Sequence, residues 1–246
     1  MDTFREPNGI KIFQETLLLE ESKSLIVSDM HLGFSKNNSA VKFKNIERLK
    51  EALRHLGAKE IIFNGDLFHD FGKFSWSAYE ELKEIIDFLN QQGIKYFFVC
   101  GNHDTILKSY LMKGSIRKLP KDYFIRNENL ICHGDSLPNI TLKSIKRIII
   151  GHLHPAITLF ENSKEETFKC FLQGYFKRKK LVIMPSFSRE TKGKNALSSW
   201  DKKDMSPFIS LKDGLNRFEV YVLDDKGRLL FFNQVGEIKK ALSQSL

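Results

Sequence analysis

The sequence predicts an α/β protein with two mixed sheets, and two observations lead to this fold class. Short apolar runs alternate with amphipathic segments of helical period in the first part of the chain. From about residue 123 the helical segments disappear and short strand-like runs follow one another closely. Of the 246 residues, 41% are hydrophobic and 21 are Phe, enough to fill a large core. We expect one domain over residues 1–246, with a C-terminal hairpin and helix at 217–246.

The first part of the chain follows the pattern β-α-β-α-β after an opening hairpin. Gly57 and Gly93 follow the last apolar positions of the two helical segments, where glycine commonly ends a helix. Such alternation predicts right-handed crossovers between mostly parallel strands, whose carboxyl ends form the usual ligand-binding edge. The expected elements are strands at 16–19, 25–28, 60–64 and 95–100 and helices at 40–56 and 77–91.

The second part of the chain indicates a separate sheet that is rich in antiparallel pairs. A further hairpin is expected to turn at residues 224–227, before a short final helix. Residues 191–216 are polar and rich in Ser and Lys, which predicts a long loop or an active-site flap. The expected strands lie at 123–126, 130–133, 147–150, 156–160, 167–172, 181–184, 218–223 and 229–232.

Side chains that bind metals follow the apolar runs at five places, residues 28–31, 65–66, 101–104, 133–135 and 151–154. Because the ends of neighbouring parallel strands meet at one edge of a sheet, we expect these side chains to lie together. Asp29 and His31 are two residues apart, as are His152 and His154. In an extended segment that spacing points both members of each pair to the same side.

The donor set indicates a metal centre that hydrolyses phosphoesters. Its nitrogen and oxygen ligands, without thiolate, suit Mn²⁺, Fe or Zn²⁺ better than Ca²⁺ or a structural zinc. Asp66 can bridge two cations, and cations about 3.5–4 Å apart would clamp a phosphate and activate a water. His103 is the candidate that protonates the leaving oxygen or stabilises the transition state, with Asp104 orienting it. The candidate ligands are Asp29, His31, Asp66, Asn102, His133, His152 and His154.

These motifs resemble those of the calcineurin-like metallophosphoesterase superfamily, which are DxH, GDxxD or a variant, GNHD or GNHE, GH or HG, and GHxH. The resemblance covers about residues 25–155 and implies a four-layer α/β/β/α sandwich in which His103 is catalytic. It also implies two metal sites that share one carboxylate. The first would contain Asp29, His31, Asp66 and His154, and the second Asp66, Asn102, His133 and His152.

The second motif departs from the family pattern, because His69 stands where many members have aspartate and no arginine follows. We expect His69 or Asp70 to bond a ligand imidazole from outside the coordination sphere, with an exposed loop histidine as the alternative. This variant, with residues 151–155, 170–171 and 184–187, resembles the PdeM-type and archaeal phosphoesterases that are related to the SbcD nucleases. That resemblance implies action on nucleic acid phosphodiesters and Mn²⁺ as the usual cofactor, with Fe, Zn²⁺ or Ni²⁺ as alternatives.

Charge favours an anionic partner, and nucleic acid is the partner we expect. The net charge is +9 and the pI about 9.3. A basic run is expected to form a hairpin turn that grips a phosphate backbone, with interleaved aromatic residues stacking on bases. The alternative is a solvated sheet edge. The expected substrate contacts are Lys177, Arg178, Lys179, Lys180 and Arg189.

Three functions remain open from the sequence. The first is a metal-dependent nuclease or phosphodiesterase acting on DNA or RNA, and the second is a small-molecule phosphatase or nucleotide phosphodiesterase, which would not need the basic turn. The third is a non-catalytic scaffold that resembles the retromer-subunit branch, and the retention of His103 and every ligand position argues against it. The sequence indicates neither a protein partner nor an oligomeric state.

The compartment we expect is the cytoplasm. The N-terminal residues show no signal peptide, and no apolar stretch approaches the ~20 residues that cross a membrane. Cys100, Cys132 and Cys170 lack the CxxC spacing of redox or zinc sites and fit a reducing compartment.

Overall fold

The computed structural model describes residues 4–6, 9–34, 39–69, 73, 75–104, 107, 111, 118–161, 164–201, 205–210, 212–224 and 228–244. Side chains are described for all of these residues except 4–6, 39–43 and 161. In these ranges the chain forms two mixed sheets and three helices, as the sequence predicts.

The first sheet places three parallel strands beside an antiparallel extension. The parallel strands are β4, β5 and β6, and the pairs from β1 to β4 are all antiparallel. The first two strands were not predicted, because each is a very short run next to a turn. In spatial order the sheet contains β1 (Phe4–Glu6), β2 (Ile10–Phe13), β3 (Thr16–Leu19), β4 (Ser24–Ser28), β5 (Glu60–Asn64) and β6 (Lys95–Val99).

Two helices, α1 (Ser39–Leu56) and α2 (Trp76–Gln91), cover the outer face of this sheet. Ser75 caps α2, because its hydroxyl accepts a hydrogen bond from the Ala78 backbone N–H. Gly57 and Gly93 follow the helices with φ of +61° and +65°, the left-handed conformation in which glycine commonly ends a helix. Both helices therefore match their predicted positions within one residue.

The second sheet is mixed, with β8, β9 and β12 parallel to one another. Strand β11 is the longest and pairs with β10, β12 and β14. The predicted 191–216 loop contains a two-residue strand that pairs with β10. The strands are β7 (Tyr123–Arg126), β8 (Asn129–Cys132), β9 (Arg147–Ile150), β10 (Pro155–Glu161), β11 (Lys164–Phe176), β12 (Lys179–Ile183), β13 (Lys194–Asn195), β14 (Glu219–Leu223) and β15 (Leu229–Gln234).

Side-chain alternation assembles the sheets and helices into four layers. In β5, Ile61 and Phe63 pack under the helices, whereas Ile62 packs between the two sheets. In β9, Ile149 faces that same inter-sheet core, and its neighbours face the outer side of the second sheet. The third helix, α3 (Val235–Gln244), packs on that outer side. This arrangement confirms the α/β/β/α sandwich.

The C-terminal hairpin of β14 and β15 is continuous with the second sheet, because β14 pairs with β11. Among the described residues, no helix is both long and apolar enough to span a bilayer. The three cysteines are free thiols, and burial raises the pKa of Cys132 to about 12.

Candidate metal centre

The seven predicted ligands follow strands that end at one edge of the two sheets. Asp29 follows β4 and Asp66 follows β5, and these strands are parallel neighbours. In the second sheet, His133 follows β8 and His152 follows β9, again a parallel pair. The ligands from the two packed sheets therefore face each other at one edge of the sandwich.

The backbone at these ligands differs from the expected extended conformation. Asp29, His31, Asp66, His152 and His154 have φ between +42° and +64°. For an L-residue this left-handed region costs on the order of 1 kcal/mol or more, and it is found where the surrounding structure enforces it. The predicted reason for the convergence of each pair, strand alternation, is therefore wrong. Tight turns after the strands orient these side chains instead.

Four of the side chains form a tight group. Ligand atoms of Asp29, His31, Asp66 and His154 all lie within 4.8 Å of one another. His154 Nε2 is 3.0 Å from Asp29 Oδ1 and 3.4 Å from His31 Nε2. This is the set that the family resemblance implies for the first metal.

The remaining three ligands lie together around His133, which is next to Asp66. His133 Nε2 lies 3.3 Å from Asp66 Oδ1 and 3.1 Å from Asn102 Oδ1. The rings of His133 and His152 are 5.0 Å apart, edge to face. Asp66 is thus common to both groups, as a bridging carboxylate must be.

Three motif glycines provide the space that this convergence needs. A Cβ at Gly65 would lie 2.1 Å from His133 Nδ1, and one at Gly101 would lie 2.3 Å from Asp66 Oδ1. A Cβ at Gly151 would lie 2.3 Å from Asp29 Oδ2. Each of these glycines therefore lies against a ligand from another motif. This explains why the 65–66, 101–104 and 151–154 motifs each contain a glycine.

Comparison with known proteins agrees with this geometry. The family model described as calcineurin-like phosphoesterase matches residues 22–208, well over half of the chain. The chain belongs to this family. A UDP-2,3-diacylglucosamine hydrolase of Actinobacillus succinogenes is 26% identical over 200 residues, covering 76% of this chain and 72% of that protein. The Haemophilus influenzae hydrolase of the same name is 29% identical over 123 residues, covering 46% of this chain and 49% of that protein.

Among solved structures, the nuclease MPE of Pseudomonas putida superposes with a TM-score of 0.63 at 15% identity. The match covers 94% of this chain and 99% of that one. At this identity the likeness shows a common fold.

The electrostatics of this phosphoesterase suit a cation between the carboxylates. Burial raises the pKa of the Asp66 carboxyl, but the hydrogen bond and charge of His133 outweigh it and hold that pKa below its ordinary value. Burial would lower the pKa of His133, yet Asp66 and Asp29 raise it to about 9. Burial lowers the pKa of His31 to about 4. The low pKa values of Asp29 and Asp66 favour the ionised carboxylates, which attract positive charge, and the low pKa of His31 favours the neutral form that ligates metals. A cation bound here would take the place of the proton that the carboxylates hold on His133.

The donor set fits divalent cations. Within the described residues, the buried Nδ1 of His31 has no hydrogen-bond partner, and its Nε2 faces the Nε2 of His154. Two imidazole nitrogens at 3.4 Å beside two carboxylates match the mixed nitrogen and oxygen coordination of Mn²⁺, Fe or Zn²⁺. The phosphoesterase thus contains a candidate dinuclear site.

His103 lies beside this site. Its backbone N–H donates to Asp66 Oδ1 at 3.1 Å, and its Nε2 is 3.7 Å from Asp66 Oδ2. Its side chain is 23% exposed, whereas that of Asp66 is 2% exposed, so the imidazole lies nearer to solvent. This position suits a group that contacts a substrate.

Asp104, the last residue of the 101–104 loop, is buried. It accepts hydrogen bonds from the backbone N–H of Gly101 at 2.9 Å and of Leu67 at 3.0 Å. Burial raises its pKa to about 7. These contacts join two motif loops, which indicates that Asp104 holds the loops together. Its expected role in orienting His103 stays a prediction.

His69 lies at the margin of the site, with its ring 5.9 Å from the His31 ring and 4.1 Å from that of Phe34, edge to face in both cases. His69 therefore lies beside a ligand imidazole, and its expected bond to that imidazole stays a prediction. Asp70, the other residue of that prediction, lies outside the described residues.

The basic turn is present but lies away from the metal site. Lys177 and Arg178 form the turn between β11 and β12, and Lys179 begins β12. In the register of β12 with β9, Lys180 pairs with Arg147, five residues before His152. At 3.3 Å per residue this separation is roughly 16 Å along the strand. These four residues therefore lie too far from the ligands to contact a phosphate held there, and their expected contact with a phosphate backbone stays a prediction.

The last expected contact, Arg189, lies at the metal edge. It follows Ser188, whose backbone N–H is 3.4 Å from the Asp29 carbonyl oxygen, and it is exposed.

Sequence reasoning missed a groove of about 540 Å³ beside the metal site. Its walls include His152, His154, Lys192, Lys194 and Trp200. The backbone N–H of Lys194 donates to the His154 carbonyl at 2.8 Å, and its ammonium lies 4.7 Å from the Trp200 ring centre. The expectation of a flap at 191–216 was the signal for this groove, but sequence alone did not show which residues face the site.

Proposed function

We propose that this phosphoesterase uses two divalent cations, Mn²⁺ first among them, to hydrolyse a phosphoester or diphosphate bond in a small nucleotide-type substrate. The observation that carries the proposal is the convergence of seven ligands around the shared carboxylate of Asp66, with His103 beside them. A structural metal site would need neither a shared carboxylate nor a partly exposed histidine at its margin.

In this proposal each group of side chains holds one cation. Asp29, His31 and His154 hold the first, Asn102, His133 and His152 hold the second, and Asp66 contributes to both. When bound, two cations would orient the phosphoryl group, lower the pKa of a water and neutralise developing charge. His103 donates a proton to the leaving oxygen as the P–O bond breaks, or stabilises its charge. The turn glycines Gly65, Gly101 and Gly151 keep the ligands in this geometry.

Three findings favour a small substrate over a polynucleotide. The basic turn that favoured nucleic acid lies at the opposite end of the strand from the metal edge. The groove beside His154 contains Lys192 and Lys194, which can bind a second phosphate next to the one that reacts. Both curated relatives carry the name of a UDP-linked substrate, which contains two phosphates. We therefore propose a diphosphate-linked nucleotide as the substrate class.

A polynucleotide remains the second candidate, because Arg189 and Lys192 are exposed at the metal edge of a chain with net charge +9. A nucleic acid strand that crosses this edge would meet both side chains without reaching the distal turn.

One assay separates the two candidates. Purified protein with Mn²⁺ is given UDP-2,3-diacylglucosamine, bis-p-nitrophenyl phosphate, a cyclic dinucleotide and labelled single-stranded DNA, and Asp66→Asn serves as the inactive control. We expect cleavage of a diphosphate or diester of low molecular mass and none by the control. Cleavage of DNA alone would replace the small-substrate proposal with the nuclease. Failure of folded, metal-loaded protein to cleave any of them would contradict the proposed function.

A further inference from the structure

A short segment after β12 lies directly behind the metal ligand Asp29. We call Ser186, Phe187 and Ser188 the 186–188 strap. The Phe187 N–H donates to the Ser28 carbonyl at 2.9 Å, and the Ser186 hydroxyl donates to the Asp29 carbonyl at 2.8 Å. The Ser188 N–H approaches the same Asp29 oxygen at 3.4 Å. The strap thus holds the backbone of a ligand whose φ is +56°.

Two positively charged side chains, Lys169 and Arg48, hold the strap through its carbonyl groups. Lys169 in β11 donates from Nζ to the carbonyls of Ser186, at 2.6 Å, and of Ser188, at 2.5 Å. Arg48 in α1 donates from Nη1 to the Phe187 carbonyl at 3.2 Å, and its guanidinium lies 4.6 Å from the Phe187 ring centre. All three strap carbonyls therefore accept hydrogen bonds from charged side chains.

The protein interior holds these two charged side chains in place. Arg48 is buried and is paired with Glu15. Lys169 is half-buried, and burial lowers its pKa to about 8. Hydrogen bonds from charged donors are shorter and stronger than neutral ones, and a buried carbonyl without a donor costs about 1–3 kcal/mol. Removal of the charged group of Lys169 or Arg48 would therefore take hydrogen bonds away from the strap carbonyls and allow the strap to shift.

We propose that Lys169 and Arg48 are positioning residues that hold Asp29 in its metal-binding conformation through the 186–188 strap. The proposal deepens the proposed function and rests on it, because Asp29 is a ligand there. Neither Lys169 nor Arg48 donates a hydrogen bond to the Asp29 carboxylate. Each acts through the strap carbonyls, and the strap in turn is hydrogen-bonded to the backbone of residues 28 and 29. The strap includes Ser186 and Phe187 of the 184–187 sequence segment, which contains no proposed metal ligand.

The test compares Lys169→Met with Arg147→Met. Arg147 is a buried cation at the start of β9, away from the metal edge, where it donates to Asn129 Oδ1 at 2.8 Å. Mn²⁺ binding is measured by calorimetry on folded protein, with thermal unfolding measured separately. We expect Lys169→Met to lower Mn²⁺ affinity about 10-fold or more, as losses around metal ligands commonly do, and Arg147→Met to leave affinity unchanged. Lys169→Arg should restore most of it.

A second variant keeps the test decisive if Lys169→Met does not fold. Ser186→Ala removes the hydroxyl bond to Asp29 and leaves the core intact, so it should lower Mn²⁺ affinity in the same direction. Combined with Lys169→Met, it should add little, because both act through one strap. Unchanged affinity in folded Lys169→Met or in Ser186→Ala would overturn the proposal, as would an equal loss in Arg147→Met. If the wild type bound no Mn²⁺, the proposed function itself would fail.

Discussion

The sharpest test of the ligand geometry is Gly151→Ala, which adds one methyl group between two motifs. Its Cβ would lie 2.3 Å from Asp29 Oδ2, whereas real Cβ contacts are essentially never under 3.0 Å. The carboxylate or the loop must therefore move by at least about 0.7 Å. Asp29 also accepts hydrogen bonds from the His152 N–H, at 3.2 Å to Oδ1 and 3.1 Å to Oδ2, so the shift disturbs a ligand of the other group too.

This displacement exceeds what a metal site tolerates, since ligand distances hold to about ±0.2 Å. We expect Gly151→Ala to lower Mn²⁺ affinity at least about 10-fold and unfolding free energy by about 1–3 kcal/mol, as overpacking does. Calorimetric titration with Mn²⁺ measures the first quantity and urea unfolding the second.

Gly57→Ala is the control, because it forces a left-handed alanine, costing about 1–2 kcal/mol, at a position where a Cβ meets nothing within 4 Å. It should lose stability and keep its metal affinity. A Gly151→Ala variant that bound Mn²⁺ as tightly as the wild type, or an equal loss of affinity in Gly57→Ala, would show that the space at Gly151 does not position the ligands.

Three further predictions follow from the site. His103→Ala should keep metal binding, because His103 is not among the proposed ligands, but lose ~10²–10⁴-fold in turnover; an equal loss of Mn²⁺ affinity would make the residue structural. Lys194→Met should raise KM for a diphosphate-linked nucleotide but not for p-nitrophenyl phosphate, which has no second phosphate, while Lys177→Met in the distal turn should change neither; equal effects of both variants would remove the groove from substrate binding. Removal of metal by a chelator should lower Tm, since a ligand at 100 times its Kd adds about 2.7 kcal/mol to the folded state, and an unchanged Tm in differential scanning fluorimetry would contradict cation binding by the native state.

Much of the fold could be predicted because hydrophobic periodicity and glycine positions reflect local physics. The β5 strand Glu60–Asn64 lies where its apolar run predicted it, and α1 and α2 end before Gly57 and Gly93. The two opening strands β1 and β2 were missed, because such short runs acquire their structure from pairing, β1 with β2 and β2 with β3, rather than from their own pattern.

The ligand types could also be predicted, since few residues bind metals and these follow apolar runs. The turn conformations could not, because the left-handed φ of Asp29 and His31 is imposed by tertiary contacts such as the His31 N–H to the Asp66 carbonyl at 3.0 Å. Lys169 and Lys177 show the same limit. Both are ordinary lysines in the sequence, yet one lies behind a ligand and the other at the far end of the sheet.

In the proposed function, one edge of the sandwich holds two cations around Asp66. Calorimetric titration of purified protein with Mn²⁺ tests it directly, with the Asp66→Asn variant in parallel. We expect two ions bound per chain in the wild type, and weakened binding of both in the variant, because the shared carboxylate is lost. One ion per chain, or a variant in which only one of two sites weakens, would contradict a shared bridging ligand.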